Sequence, residues 1–367
     1  MSGNPYQNLP DHAFWRRAVA QVAPGAVDPA VQAPFTIAPG DAVFTAGSCF
    51  AQHIGPMLRA IQFNFLVAEA AHPLASAALA HSFNYDVFSA RTGNIYTARQ
   101  LLQLFRRAYG NFSPAEDVWE TDGQFIDPFR PQIQPGGFLS RREFEIDRAR
   151  HFAALRRAFE TLDVLVFTLG LTEAWRSRAD GAVFPLCPGV AGGTFDAARH
   201  EFHNFTVAEV VEDLSCFIDE LRGVNRGCRV ILTVSPVPLV ATARADTHVL
   251  AATIYSKSVL RVAAEMVAQG RPGVAYFPSY EIITGRFDGG SYFAGDRRSV
   301  TGVGVAHVMR VFARCYANIV VAPPPEAPPP EAPPPETPPP GTRSEAYMHQ
   351  MEDLMRVHCD EVALDPG

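Results

Sequence analysis

DAVFTAGSCFAQHI, residues 41–54, decides how the rest of the chain is read. Residues 42–46 form an apolar run of strand length, and residues 50–61 carry the spacing of a helix. Gly47 and Ser48 therefore stand at a strand-to-helix junction. A serine there holds its hydroxyl at the carboxyl edge of a sheet, beside backbone N–H groups at a helix start, where negative charge is favoured. That combination suits a nucleophile next to an oxyanion hole. Serine is also a common helix N-cap, so the junction alone leaves both roles open. Cys49 is a rival nucleophile by its chemistry and a small buried apolar residue by its usual habit.

Outward from this junction, strand-like runs at residues 63–68, 164–169, 230–234 and 274–277 alternate with helical patterns over 97–109, 147–161, 207–222, 246–269 and 302–316. Such alternation implies an α/β fold, a central parallel sheet covered by helices on both faces. CRVILTVSPVP (228–238) is apolar almost throughout, as a strand buried on both faces should be. Residues 111–145 break the alternation and read as an insertion or lid over one end of the sheet. Sites in such sheets lie beyond the carboxyl ends of the strands.

The chain has 367 residues, of which 47% are hydrophobic and 19% charged, enough for a sizeable core. Net charge is −7 and the pI is near 5.9, which gives no basic face for nucleic acid. Six cysteines (Cys49, Cys187, Cys216, Cys228, Cys315 and Cys359) are scattered with no CxxC spacing, against a zinc or redox motif. No metal or organic cofactor is implied. The first residues lack an apolar signal core, and no run approaches the ~18 residues of a membrane span. A cytoplasmic protein without membrane contact is the expectation. The α/β domain is assigned to residues 1–321. APPPEAPPPEAPPPETPPPG (322–341) has a five-residue period and reads as an extended polyproline II linker, or as a ligand for a proline-binding protein. Residues 342–367 read as a short amphipathic helix with Tyr347, Met351, Leu354 and His358 on one face.

GSCFAQHI resembles the motif that names the GSCFA family, a branch of the SGNH/GDSL-like hydrolase superfamily. The likeness continues in order through GNIYTARQLLQL (93–104), VLVFTLGLTEAW (164–175), FHNFTV (202–207), LTVSPVPL (232–239), YSKSVLR (255–261) and YFPSYEIITG (276–285). The resemblance implies a three-layer α/β/α sandwich of SGNH hydrolase-like, flavodoxin-like type, and a serine esterase-type site. Ser48 takes the nucleophile position, with its N–H and that of Gly93 as oxyanion donors and Asn94 as a further donor. The next block reads Gly170-Leu171-Thr172-Glu173, so Thr172 stands where the superfamily has an oxyanion-binding asparagine. Glu173 is expected either to orient Thr172 or Trp175 or to sit as a charge in the first turn of a helix. Thr206, with Glu209 three residues on, fits a helix N-cap, which leaves His203 and Asn204 as candidates to line the site.

YFAGDRRSVTGVG (292–304) is where the chain departs from the family. GSCFA relatives resemble SGNH enzymes in carrying an aspartate and a histidine three residues apart. Here Asp296 is in place and Ser299 occupies the histidine position. A serine hydroxyl is no general base near neutral pH. Loss of one triad member leaves residual catalysis on the order of 10³–10⁴ over water. His203 is the preferred stand-in. His307 lies eight residues, ~12 Å of helix, beyond Ser299, and His53 lies more than a turn past Ser48. Three functions follow. The first is a hydrolase or O-acyltransferase acting on an O-acyl ester such as an acetylated glycan, impaired at Ser299. The second is a catalytically silent binder of a glycan or acylated ligand. The third is a scaffold recruiting a protein partner through the Pro-rich tail.

Overall fold

The computed structural model describes residues 4–320 and 360–364. The expected linker over 322–341 lies outside the described residues. Of the helix expected over 342–367, only Asp360–Leu364 is described, as a single 3-10 turn. In chain order the strands are β1 (Val43–Gly47), β2 (Trp119–Thr121), β3 (Gln124–Ile126), β4 (Val164–Leu169), β5 (Glu173–Ser177), β6 (Val183–Phe184), β7 (His200–Asn204), β8 (Arg229–Val234) and β9 (Val274–Phe277). The helices are α1 (Ile54–Ala60), α2 (Ala77–Ser82), α3 (Ala98–Ala108), α4 (Arg141–Thr161), α5 (Val207–Val224), α6 (Val249–Gly270), α7 (Ser279–Thr284) and α8 (Gly302–Ala317).

Strands β1, β4, β8 and β9 pair in that order, all parallel, so that Thr45 lies opposite Val166 and Val166 opposite Ile231. The pleat sends alternate residues to opposite faces. Val164, Val166 and Ile231 join one core with Leu58 of α1, Ile283 of α7 and Phe312 of α8. Leu165, Phe167, Val230 and Leu232 join the other with Phe105 of α3, Phe159 of α4, Phe217 of α5 and Leu260 of α6. Full burial of each such side chain contributes about 1.5–3 kcal/mol. Helices on both faces of one parallel sheet make a three-layer α/β/α sandwich.

Several expectations shift in detail. Residues 63–68 make only one parallel bridge, Phe65 to Val43, rather than a strand. Val43 exchanges both of its bonds there, with Asn64 and Leu66, but the next rung is taken by Ser89, whose hydroxyl accepts from the Thr45 N–H. The segment peels away because its edge is already occupied. The helix expected from residue 50 starts as a 3-10 turn, Cys49–His53, before α1. Helix α4 begins at Arg141, six residues earlier than expected, because Ser140 caps the Glu143 N–H in a stretch too charged to show apolar spacing. Strands β6, β5 and β7 form a separate antiparallel sheet that the polar sequences EAWRS and HEFHN conceal. The 111–145 insertion holds the β2–β3 hairpin and rests on this second sheet through Trp119 against Phe184.

Gly47 is the backbone exception that ends β1. Its φ is +138°, and a Cβ there would lie 2.4 Å from the Thr168 carbonyl oxygen. Gly47→Ala should therefore destabilise the fold by ~3 kcal/mol or more. Gly223→Ala, in α5 with nothing within 4 Å of the added carbon, should instead stabilise by roughly 0.5–1 kcal/mol. Urea midpoints of the two variants on opposite sides of the parent check this; equal shifts would refute it.

Candidate functional site

Ser48 sits at the N-cap position of the Cys49–His53 turn, yet its side chain caps nothing. It is 2% exposed, and its Oγ has no hydrogen-bond partner among the described residues. A capping role is therefore excluded here, and the hydroxyl is left available for chemistry. Its own N–H is not: it donates to the Thr168 carbonyl at 3.0 Å, extending the β1–β4 ladder by one rung. The expected oxyanion donation from the Ser48 N–H does not hold in this arrangement.

Residues 92–96 form a strap across the ends of β1 and β4. Ile95 donates its N–H to Gly47, and Gly170 and Leu171 donate theirs to Tyr96. The strap carries both Gly93 and Asn94 to the edge where Ser48 stands. Gly93 has φ +63°, a left-handed conformation natural to glycine, and its N–H makes no hydrogen bond to the described residues. Asn94 is 3% exposed. Gln52, one turn after Ser48, donates to Asn94 Oδ1 at 3.4 Å, which orients the Asn94 amide nitrogen to the other side. That nitrogen donates to the Asp360 carboxylate at 3.0 Å.

Gly170 packs directly against Ser48: a Cβ on it would come within 3.1 Å of the Ser48 Cβ and 3.0 Å of the Tyr96 ring. Its contribution is room, since its N–H is spent on Tyr96. Its carbonyl accepts from Lys257 Nζ at 2.5 Å, a lysine only 2% exposed on α6. Lys257 thus brings a buried amino group to the side of the site. The single lysine between two serines in the YSKSVLR segment was the available signal, and the sequence reading passed over it.

Thr172 is fully buried and committed. Its hydroxyl donates to Asn204 Oδ1 at 2.6 Å and its N–H to Ser256 at 2.9 Å. It braces the turn out of β4 and has no proton left for an oxyanion. Glu173 does not begin a helix; it opens β5 opposite Asn204 and accepts from the Thr242 hydroxyl at 2.7 Å, fixing the loop after β8. His203 and Asn204 are not free either. The expected capping box of Thr206 and Glu209 is present, and Glu209 also holds His203 Nε2 at 2.7 Å. No described histidine bonds Ser48. His307 is buried between the Tyr292 hydroxyl and the Val27 carbonyl. Burial lowers His53 to about 4, so it is neutral at pH 7.

Asp296 and Ser299 close a small turn. Ser299 donates both its hydroxyl, at 2.6 Å, and its N–H, at 2.9 Å, to the Asp296 carboxylate. The Ser299 hydroxyl bond, followed by the Arg298 N–H, holds Asp296 below its ordinary value. Arg298, between them, reaches inward to the Pro238 carbonyl and to Glu361 at 3.2 Å. Next to Glu361 opens a cleft of about 240 Å³, walled by Leu171, Trp175, Phe202, Leu239 and Thr242 and touched by Leu364; of the expected site residues Glu173 alone lines it, and Ser48, Gly93, Asn94, Asp296 and Ser299 do not. No residue of the 111–145 insertion lines it, so the insertion is no lid over this cleft. Among the described residues, no cluster of His, Cys, Asp and Glu could hold a metal ion, and no helix is long and apolar enough to cross a membrane.

The GSCFA family profile matches residues 42–312, and the protein belongs to the GSCFA family. No curated protein matches the chain.

His53 gives the site edge a pH signature. Its folded value, about 4, lies below the 6.5 of the unfolded chain. Between those limits the unfolded chain binds the proton and the folded one does not, so stability falls as pH drops from 6.5 towards 4. His53→Gln should remove that component, so its stability relative to the parent rises across this window in urea titrations. A pH-independent difference would count against it.

Proposed function

We propose that the site is an SGNH-type acyl site acting on an O-acyl ester, such as an acetyl group on a glycan, by hydrolysis or transfer. Ser48 is the nucleophile. Asn94 Nδ2 and the Gly93 N–H take the oxyanion, with Lys257 adding positive charge behind Gly170. Asp296 is the orienting carboxylate of a base that Ser299 does not supply. The observation that carries this reading is the Asn94 amide, which already holds a carboxylate oxygen on the same strap that crosses Ser48. An acyl carbonyl presents the same kind of acceptor. The aromatic wall of Trp175 and Phe202 suits the apolar face of a sugar ring or an acyl chain.

A second reading, a silent binder, is favoured by the turn in which Ser299 and Asp296 satisfy each other. The two readings share the cleft and differ at one residue. A scaffold role rests on the Pro-rich tail, outside the described residues. The α/β domain without a disulfide among its described cysteines fits a cytoplasmic setting.

Hydrolysis of an activated acetyl ester tests the reading. The parent should be slow, and Ser299→His should gain on the order of 10²-fold, since the Asp296 carboxylate that now accepts from Ser299 would accept from the new imidazole. Ser48→Ala in that background should abolish the gain. Asn94→Leu should cut it by about 10²–10³. A Ser299→His chain no faster than Ser48→Ala would favour the binder.

A further inference from the structure

Asp360 and Glu361 are neighbouring acids, yet they are only 5% and 7% exposed. Two adjacent carboxylates lose hydration and repel each other when buried, so each needs a partner. Each has one, on a different wall of the site. Asn94 Nδ2 bonds Asp360 at 3.0 Å, and Arg298 bonds Glu361 at 3.2 Å. Leu364, three residues beyond Glu361, reaches the apolar part of the cleft beside Leu171 and Leu239. One five-residue turn thus engages an amide, a guanidinium and an apolar wall together. It lies outside the family match, which ends at residue 312.

We infer that residues 360–364 are a resident ligand of the cleft, with the Asp360 carboxylate standing in for the acyl carbonyl and the Glu361 carboxylate for a second, anionic group read by Arg298. This rests on the reading of Asn94 as the acyl-oxygen donor, and it adds two things. The ligands that fit carry a carboxylate or like anion close to the acylated position, since Asp360 and Glu361 are consecutive. Such ligands must also displace the chain's own end. The segment is covalently joined to the domain, so its effective concentration is on the order of millimolar and even a weak fit keeps the edge of the cleft between Asn94 and Arg298 occupied. Arginine suits the second position because its planar donors match a carboxylate.

A fluorescent peptide of residues 357–367 provides the test, read by anisotropy against full-length chains. The Asp360→Ala/Glu361→Ala chain should bind it at least about tenfold more tightly than the parent, since a resident ligand occupying nine sites in ten lowers apparent affinity by that factor. The milder Asp360→Asn/Glu361→Gln chain should behave alike. Arg298→Ala added to either should abolish binding, as should the two amide substitutions made in the peptide. Equal affinity for parent and variants, or binding to none, overturns the inference. Ester turnover by the same chains, in the Ser299→His background, separates it from the acyl reading. If the peptide competes as expected while turnover is unchanged by the acid substitutions, docking stands and the acyl assignment of Asn94 falls.

Discussion

The site depends on a set of buried charges that never touch it. Arg91 opens the strap, and its side chain, 3% exposed with the backbone, bonds Asp147 of α4 at 2.6 Å and the carbonyls of Phe83 and Ile133. Arg130 bonds Asp127 and Asp147 and donates to the Arg91 carbonyl. The Arg91 N–H donates to Glu69, which also holds His151 at 2.6 Å. Burial alone would raise the Glu69 carboxyl, but His151, Arg130 and the Arg91 N–H bring it down to about 2. A buried ion pair is weak evidence for stability, because desolvation offsets the attraction. Its value here is placement. A segment with no regular structure is fixed from behind, so that Gly93 and Asn94 face the end of β1 without belonging to the sheet.

That division explains what could be read from sequence. The central strands were legible because each is apolar on both faces, and β4 and β9 fall at the residues expected. Helices α3, α5 and α8 were legible because caps and spacing agree, as at Thr97, Thr206 and Thr301. The antiparallel sheet was not, because its strands are largely polar: Arg176 and Glu201 pair across strands at 2.5 Å, Glu173 accepts from the Thr242 hydroxyl, and His200, although buried, bonds Glu116. Isolated apolar residues such as Trp175 and Phe202 give too short a pattern to mark a strand.

The candidate residues divide along the same line. Ser48, Gly93 and Asn94 were found because a strand-to-helix turn and a family motif place them; the Ser48 Oγ and the Gly93 N–H have no bond to the described residues, while Asn94 bonds Gln52 and Asp360. Thr172, His203 and Asn204 were chosen by chemistry in the right blocks, but the fold spends them on one another and on Glu209. A sequence shows which side chains can donate; only packing shows which donations are already made. Gln52, Lys257 and Arg298 were missed for the complementary reason. Each looks like an ordinary helix or loop residue until its partner arrives from a distant segment.

Oxyanion donors and an anion site are the same physical object viewed at two moments. An amide that holds the planar carboxylate of Asp360 faces an oxygen bearing part of a charge, and the tetrahedral intermediate presents one bearing more. Asn94 therefore cannot tell a binder from a hydrolase. The discriminating group must move a proton, and in the family pattern that group is residue 299, beside the Asp296 carboxylate. On the acyl reading, serine there leaves the oxyanion donors in place and removes the proton acceptor. A site so altered would hold carboxylates well and turn over esters poorly, and an acidic segment of the same chain, which carries no ester, could lodge in it.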